Sequence, residues 1–200
     1  MSKSALATIP SLLEAKQESV RSAISEHALR LFSERGYEGT TVDDIARAAG
    51  IGRRTFFRYF DSKDAVVLWR YDLIGRRVVE LLRARPAREP ALTSMERALT
   101  EAAEFYNVDP AQSVRILKLT EETPSLLGQQ LLQQDRWKSW FADVLRARGK
   151  YAEGSPQPEI TAAVALEAMG LAVRRWVDAP EHALSTQIPR CFAALRKVAR

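Results

Sequence analysis

The segment Gly52–Phe60, GRRTFFRYF, holds three arginines and four aromatic residues within nine positions. Guanidinium groups bind phosphate and read the O6 and N7 acceptors of guanine, and apolar rings can contact thymine methyl groups. Residues 52–63 carry four basic side chains against one acid, whereas residues 1–64 together carry ten against nine. The whole chain has a formal charge of +5 and a pI near 9.5. The local concentration of charge predicts an anionic partner for this segment.

The residues before this segment predict two of the helices that position it. Apolar side chains at helical spacing predict a helix over 19–35, and Gly36 would end it in a left-handed conformation. Thr41 is a typical N-cap residue, and Asp44 stands three positions later. This pair predicts a capping box at the start of a short helix over 42–49.

Gly50 permits the positive φ of a tight turn, and a second short helix is predicted over 53–59. Two short helices joined in this way form a helix-turn-helix. Phe56 and Phe60 lie one turn apart, so we expect both rings to be buried. The outward side would then present four other side chains: Arg54, Phe57, Arg58 and Tyr59.

Four residues of this region have the chemistry of phosphate contacts that set the register on a duplex. Arg53 and Thr55 lie at the start of the second helix, where backbone amides favour phosphate. Tyr59 and Lys63 carry a hydroxyl and an ammonium group near its other end. From the pattern alone, a solvated arginine face is the alternative interpretation.

The rest of the chain has the same helical character. No alternating apolar and polar run is long enough for a sheet, so we expect an all-α fold of about nine helices. A three-helix unit over residues 19–64 would lead into a larger helical bundle over 65–200. Residues 1–18 would form an N-terminal arm whose order the sequence leaves open. The further helices are predicted over 62–85, 91–107, 110–121, 124–148, 158–178 and 184–198.

The stretch ALRLFSERGYEGTTVDDIARAAGIGRRTFFRYFDSKDAVV resembles the DNA-binding domain of the TetR family of bacterial transcriptional regulators. The resemblance covers about residues 20–67. It rests on LF at 31–32, ERGY at 34–37, TTV at 40–42, DIA at 44–46 and AGI at 49–51, followed by Thr55, Phe57, Tyr59-Phe60 and Ser62-Lys63-Asp64.

The resemblance implies that the helix over 53–59 enters the major groove of double-stranded DNA, while the helix over 42–49 supports backbone contacts. The predicted DNA-binding residues are Thr41, Arg53, Arg54, Thr55, Phe57, Arg58, Tyr59 and Lys63. Arg54 stands where the family often has Gly, and Phe57 stands where it often has Tyr. These changes add a donor that can read bases and remove a hydroxyl often used on phosphate.

In TetR-like proteins the C-terminal bundle pairs two subunits. The helix over 158–178 contains five small residues that would let a partner helix approach: Ala162, Ala163, Ala165, Ala168 and Gly170. We therefore predict a homodimer through the helices near 158–178 and 184–198. A helix internal to the subunit core is the alternative.

The bundle of TetR-like proteins also encloses a small-molecule pocket. The segment RILKLTEETPSLLGQQLLQQDRWKSWFADVL and the helix ending RRWVDAP resemble the C-terminal domain of actinobacterial mycofactocin-system regulators. That resemblance implies a long apolar ligand such as an acyl-coenzyme A. The predicted ligand-binding residues are Phe105, Tyr106, Leu117, Trp137, Phe141, Met169 and Trp176, with plain core packing as the alternative.

Other classes of protein fit the sequence poorly. His27 and His182 are the two histidines, and no metalloprotease motif, phosphate loop or nucleophile elbow is present, so we expect neither an enzyme nor a metal or cofactor. Cys191 is the single cysteine, and no signal peptide or membrane span is expected, which favours the cytoplasm and its nucleoid.

The sequence thus predicts a repressor that binds a palindromic operator as a homodimer and is released by a small apolar effector. One alternative is a helix-turn-helix regulator without a small-molecule ligand, controlled by a protein partner or constitutive. A helical adaptor that binds only proteins is a further alternative.

Overall fold

The computed structural model describes residues 12–149 and 151–198, which form helices and loops without a strand. The predicted all-α fold is therefore confirmed. Ten helical segments occur in the described residues: α1 Leu12–Arg35, α2 Val42–Ala48, α3 Arg53–Tyr59, α4 Lys63–Ala84, α5 Ala91–Ala102, α6 Glu104–Asn107, α7 Pro110–Glu122, α8 Pro124–Arg148, α9 Gln157–Asp178 and α10 Leu184–Val198.

Two helices differ from the prediction by more than one residue at an end. Helix α1 begins at Leu12, so the second part of the arm assigned to residues 1–18 is helical, while residues 1–11 lie outside the described residues. The helix predicted over 91–107 is divided at Ala103. There the N–H of Tyr106 donates to the carbonyl of Ala103 at 3.0 Å, a three-residue spacing that tightens the helical turn.

The chain divides into two compact units, one up to Val67 and one from Leu68 onward. The corresponding boundary was predicted between residues 64 and 65, three residues earlier in the chain. Helix α4 contains the division, because it begins at Lys63 and continues to Ala84.

In the first unit, the loop between α1 and α2 is built as the sequence predicts. Gly36 has a φ of 77°, and its N–H donates to the carbonyl of Phe32 at 3.0 Å. The N–H of Asp44 donates to Thr41 Oγ1 at 3.1 Å, and the N–H of Thr41 donates to Asp44 Oδ2 at 3.0 Å. Both bonds of the predicted capping box are present, so α2 begins at a fixed residue.

The core of the first unit is formed by side chains of α1, α2, α3 and the start of α4. Phe32 and Ile45 are fully covered, and they share this core with Ile24, Ala28, Leu29, Phe56 and Val66. Each large apolar side chain buried here contributes about 1.5–3 kcal/mol. This core fixes the orientation of α3.

In the second unit, α9 packs against α5, α7, α8 and α10. Ala162, Ala165 and Ala172 are completely buried, because their small side chains allow neighbouring helices of the same subunit to approach. Trp176, Phe141 and Phe192 fill the larger spaces around them.

A charged network holds the loop between α4 and α5. Glu89 accepts hydrogen bonds at 2.8 Å from Arg85 Nε, Arg85 Nη2 and Ser94 Oγ, and it also pairs with Arg97. These bonds, first of all those from Arg85, lower the pKa of Glu89 from 4.5 to about 2. Arg148 donates to the carbonyls of Arg85 and Pro86, which ties the end of α8 to the same loop.

Candidate functional site

A tight turn joins α2 to α3. Gly50 has a φ of 66°, and the N–H of Ile51 donates to the carbonyl of Ala46 at 2.9 Å. Gly52 precedes α3, and its carbonyl accepts from the N–H of Phe56 at 3.0 Å. The predicted helix-turn-helix is present, with the left-handed residue at the predicted glycine.

The aromatic residues of α3 are divided between its two sides. Phe56 and Phe60 are 0% and 4% exposed, and their ring centroids lie 5.9 Å apart. Phe57 is 42% exposed and contacts Phe56 edge to face at 5.5 Å. The predicted burial of Phe56 and Phe60 is confirmed, so the opposite side of α3 faces solvent.

Arg54 and Arg58 lie on this exposed side of α3. Arg54 makes no hydrogen bond or ion pair with any residue in the described part of the chain. The Arg58 guanidinium lies 5.1 Å from the ring centroid of Tyr59. Both cations are therefore available to an anionic ligand, and stacking on the ring limits the freedom of Arg58.

Arg53 is positioned differently, because a partner on α2 already neutralises it. Its Nη1 lies 2.8 Å from Asp43 Oδ2, and its guanidinium lies 5.3 Å from the Phe57 ring. This ion pair joins the first turns of α2 and α3. Asp43 was not among the predicted site residues, although the sequence places an acidic residue in the first turn of the predicted α2 helix.

The hydroxyl-bearing candidates also differ in what they already bind. Thr41 Oγ1 accepts from the N–H of Asp44 and donates to Asp44 Oδ2 at 2.5 Å, so the capping box uses its one donor hydrogen, which a phosphate contact would need. These bonds lower the pKa of the Asp44 carboxyl. Thr55 and Tyr59 are half-buried, and neither hydroxyl has a hydrogen-bond partner within residues 12–149 and 151–198.

Lys63 at the start of α4 points back to the loop before α2. Its Nζ donates to the carbonyls of Tyr37 at 2.8 Å and Thr40 at 3.4 Å, and lies 3.8 Å from Glu38. It also lies 4.0 Å from the centroid of the Tyr37 ring. The ammonium predicted to contact DNA is thus largely occupied by its own chain, next to the cap of α2.

The second unit contains a cavity of about 180 Å³. Four of the predicted ligand-binding residues line it: Tyr106, Leu117, Trp137 and Met169. Phe105, Phe141 and Trp176 do not. Phe105 lies against the guanidinium of Arg70 at 4.8 Å, whereas Phe141 and Trp176 are fully covered by the core.

One wall of the cavity comes from α4, which contains none of the predicted ligand-binding residues. Tyr71, Ile74 and Val78 supply this wall. Next to them, Gly75 lies directly under the indole of Trp137, since a Cβ at this position would overlap Trp137 Nε1. Glycine therefore allows α4 and α8 to approach at the level of the cavity.

Some buried polar groups of the cavity wall have hydrogen-bond partners and others have none within the described residues. The Tyr71 hydroxyl donates to Thr120 Oγ1 at 3.2 Å, and Gln133 Nε2 donates to Asp72. By contrast, the Tyr106 hydroxyl and Gln133 Oε1 have no hydrogen-bond partner among the residues that the structure describes. Tyr106 is 7% exposed and Gln133 is 2% exposed, so bulk water reaches neither group freely.

Both tyrosine hydroxyls in this wall are neutral at physiological pH. Burial raises the pKa of Tyr71 to about 12. Burial also raises the pKa of Tyr106 well above its ordinary value. Each therefore acts as a hydroxyl donor and acceptor.

The outer side of α9 carries apolar residues that nothing in the described chain covers. Ile160 is 56% exposed and Leu171 is 44% exposed, and half-buried Val164 lies on the same helical face. Ala162, Ala165 and Ala168, which were predicted to admit a partner helix, are instead buried within their own subunit. For these three alanines, the alternative of an internal core helix applies.

The described residues include neither a metal-binding cluster nor a membrane-spanning helix. Residues 12–149 and 151–198 contain no group of three or more His, Cys, Asp or Glu placed to hold a metal ion. No helix in the same residues has the length and apolar character needed to cross a membrane.

Family comparisons match both units. Residues 24–68 match the model of bacterial regulatory proteins of the tetR family, and residues 89–200 match the MftR C-terminal domain. The chain is 33% identical over 198 residues to the HTH-type transcriptional regulator TcmR of Streptomyces glaucescens, covering 94% of this chain and 87% of TcmR.

A second relative supports the match of the bundle. The chain is 30% identical over 136 residues to MftR of Mycobacterium tuberculosis, named for the transcriptional regulation of mycofactocin biosynthesis, covering 67% of this chain and 69% of MftR. These relatives are transcriptional regulators and not enzymes.

A solved structure shares the fold. The regulator FadR from Bacillus subtilis in complex with stearoyl-CoA superimposes with a TM-score of 0.63 at 14% identity, covering 87% of this chain and 96% of FadR.

Proposed function

The chain belongs to the TetR family of bacterial regulatory proteins, and on this premise we propose that it is a repressor that binds a palindromic operator as a homodimer. An effector entering the cavity of the second unit would release the operator. The observation that carries the proposal is the division of α3, with Phe56 and Phe60 buried and Arg54 and Arg58 exposed. The proposed place of action is the cytoplasm, on nucleoid DNA.

In the proposed complex, the outer side of α3 reads base edges. Arg54 is the best candidate for guanine, because its guanidinium is exposed and unpaired within the described residues. Phe57 offers an exposed ring to a thymine methyl group. Arg58 stacks on Tyr59 and can bind either guanine or phosphate.

The remaining DNA-binding candidates would set the register on the duplex. The hydroxyls of Thr55 and Tyr59, unpaired within the part of the chain that the structure describes, can bind phosphate. Arg53 can share its charge between Asp43 and phosphate. We propose that Thr41 and Lys63 act mainly by fixing the start of α2, since their polar groups already bind the chain.

Dimerisation would place two α3 helices about 34–36 Å apart, one turn of DNA. We propose that the outer face of α9, formed by Ile160, Val164 and Leu171, supplies part of the subunit interface together with α10. Leu171→Lys should convert the dimer to a monomer in size-exclusion chromatography. Leu132→Lys, which changes an exposed leucine of α8, is the matched control and should leave the dimer intact.

The cavity and the start of α2 are connected through one helix. Helix α4 lines the cavity with Tyr71, Ile74 and Val78, and its first residue, Lys63, holds the loop before α2. A ligand that prefers one position of α4 by its contacts would shift the population of DNA-binding dimers.

The cavity is small for the predicted acyl-coenzyme A ligand. Pockets for drug-sized ligands have volumes of roughly 300–1,000 Å³, whereas this cavity measures about 180 Å³. A stearoyl-CoA, as held by the Bacillus subtilis regulator, would require the cavity to widen. A smaller, largely apolar effector fits the cavity as it stands.

DNA binding is tested with duplexes from the region upstream of the gene for this chain. Wild-type protein should bind one such duplex and lose affinity steeply as salt increases. Arg54→Ala should reduce discrimination between operator and base-substituted duplexes by about 1–3 kcal/mol. Equal binding of all duplexes by wild type and variant would reject the proposed reading face.

The alternative of a regulator without a small-molecule ligand is tested on the same complex. If operator binding is specific but no compound that enters the cavity changes it, control by a protein partner or constitutive binding is favoured.

A further inference from the structure

We propose that the effector is a compact, uncharged ring compound whose oxygen substituent accepts a hydrogen bond from the Tyr106 hydroxyl and donates one to Gln133 Oε1. This inference rests on the proposed function, because it assigns a ligand class to the same cavity. The proposed ring compound differs from a long acyl chain in shape, in polarity and in the side chains that bind it.

The first observation is that two polar groups of the buried wall have no partner within the described residues and yet remain accessible from the cavity. The Tyr106 hydroxyl and Gln133 Oε1 belong to residues that are more than nine-tenths buried, and both residues line the cavity. Neither atom is among the fully occluded unpaired polar atoms, so each keeps some accessible surface. A buried polar group without a hydrogen bond destabilises the protein, so the free cavity would hold water at these groups.

The second observation is that neighbouring polar groups in the same wall are paired. Tyr71 donates to Thr120, and Gln133 uses its Nε2 on Asp72. The bond to Asp72 also fixes the carboxamide orientation, which leaves Oε1 as an acceptor. Among the nine-tenths-buried wall groups that keep accessible surface, one donor and one acceptor are thus left for a ligand, since the unpaired Trp137 Nε1 is fully occluded.

The charges of the cavity exclude an ionised ligand from its interior. Glu121 and Arg174 are the charged residues that line it, and both are exposed at its edge. Placing an ion among the buried wall residues would cost its hydration without a paired charge. An uncharged ligand avoids this cost.

The aromatic wall favours a ring. Tyr71, Tyr106 and Trp137 all line the cavity, and the rings of Tyr71 and Trp137 lie 6.5 Å apart at 60°. Aromatic side chains prefer tilted or offset contacts with other rings. A volume of about 180 Å³ suits one or two fused rings better than an extended chain.

Three matched probes test the hydrogen bonds one at a time in the full chain: naphthalene, 2-methoxynaphthalene, which only accepts, and 2-naphthol, which accepts and donates. Equilibrium dialysis should give the order naphthalene, 2-methoxynaphthalene, 2-naphthol from weakest to tightest. Each step should gain about threefold to tenfold in affinity, the range expected for one net hydrogen bond.

Two variants assign each gain in probe affinity to one side chain. Tyr106→Phe should remove the gain from naphthalene to 2-methoxynaphthalene, and Gln133→Met should remove the further gain to 2-naphthol. Tyr71→Phe is the matched control, because it deletes a hydroxyl that already has a partner. It should lower the melting temperature by about 2–4 °C and leave the order of the probes unchanged.

A further readout separates binding from simple packing. Tyr106→Phe should not lower the melting temperature of the free protein, since its hydroxyl has no partner within the described residues. Equal affinity for the three probes, no binding of any probe, or unchanged selectivity in Tyr106→Phe would each overturn the inference.

Operator release is measured separately with the same probes and with lauroyl-CoA. Release by lauroyl-CoA without binding of the oxygenated probes would overturn the ligand class and leave the repressor proposal intact. Failure of the protein to bind any operator would overturn the proposed function, even if the probes bind in the expected order. Binding and release by 2-naphthol would support both.

Discussion

The two units of the molecule present their functional groups in opposite ways. In the first, Arg54 and Arg58 are exposed on a two-turn helix, and their orientation depends on Phe56 within the same segment. In the second, Tyr106 and Gln133 come from different helices and are buried without full pairing. A surface that binds a polyanion can be built from one short motif, whereas a cavity needs distant residues brought together by the core.

The largest expected effect tests whether the first unit depends on its buried ring. Phe56→Ala should destabilise this unit by about 3–5 kcal/mol, because it leaves a cavity in a filled core. Operator binding should be lost, while 2-naphthol binding by the second unit should remain. Chemical denaturation followed by circular dichroism measures the stability.

The neighbouring residue provides the matched control for that change. Phe57→Ala removes an exposed ring and should alter stability by only about 0.5 kcal/mol or less. If both variants are equally stable, the opposite placement of the two rings is wrong.

A smaller effect distinguishes a positioning role of Lys63 from a phosphate contact. Lys63→Met removes hydrogen bonds from a charged donor to the carbonyls of Tyr37 and Thr40, so we expect a loss of about 1.5–3 kcal/mol in stability. The salt dependence of operator binding should keep its slope, because no phosphate contact is lost.

Exposed Arg58 is the control for this measurement. Arg58→Met should leave stability almost unchanged. If Arg58 binds phosphate, the negative slope of log affinity against log salt should become less steep by about 0.9. A reduced slope in Lys63→Met would show that Lys63 contacts the backbone of the duplex after all.

In the second unit, the network around Glu89 should make stability depend on pH. Its pKa is lowered from 4.5 to about 2, so its stabilising contribution is present above pH 4.5 and is lost as the pH falls toward 2. Glu89→Gln should lack this portion of the acid dependence. Melting temperatures of wild type and variant that fall in parallel between pH 5 and pH 2 would contradict the assignment.

The smallest effect concerns the exposed ion pair of Arg53 and Asp43. Asp43→Asn should change stability by about 0.2–1 kcal/mol, since such pairs are screened by solvent. Freeing Arg53 should increase operator affinity at low salt, and the increase should fade as salt is added. Weaker binding at low salt would mean that the pair holds Arg53 in the position from which it contacts phosphate.

The features predicted correctly from the sequence depend on neighbouring residues. The capping box of Thr41 and Asp44, the left-handed Gly36 and Gly50, and the burial of Phe56 all follow from spacings of four residues or fewer. Backbone sterics and helical periodicity act over this range, so a single sequence contains the required information.

The features that the sequence did not reveal depend on distant contacts. Phe105, Phe141 and Trp176 have the composition of a ligand wall, but their packing partners decide that they do not line the cavity. Lys63 has the chemistry of a phosphate ligand, yet it binds carbonyls 23 and 26 positions away. Apolar or charged character alone cannot distinguish such environments.

The missing side chain at Gly75 has a consequence for how the protein can be altered. Because α4 rests directly on the Trp137 indole there, the separation of α4 and α8 is set by the thickness of one ring. A single added methyl group would force this separation to increase, as a molecule lodged between the helices would. We expect Gly75→Ala to be unresponsive to inducer and to leave the operator unoccupied in its absence, which a reporter-gene assay would show as permanent expression.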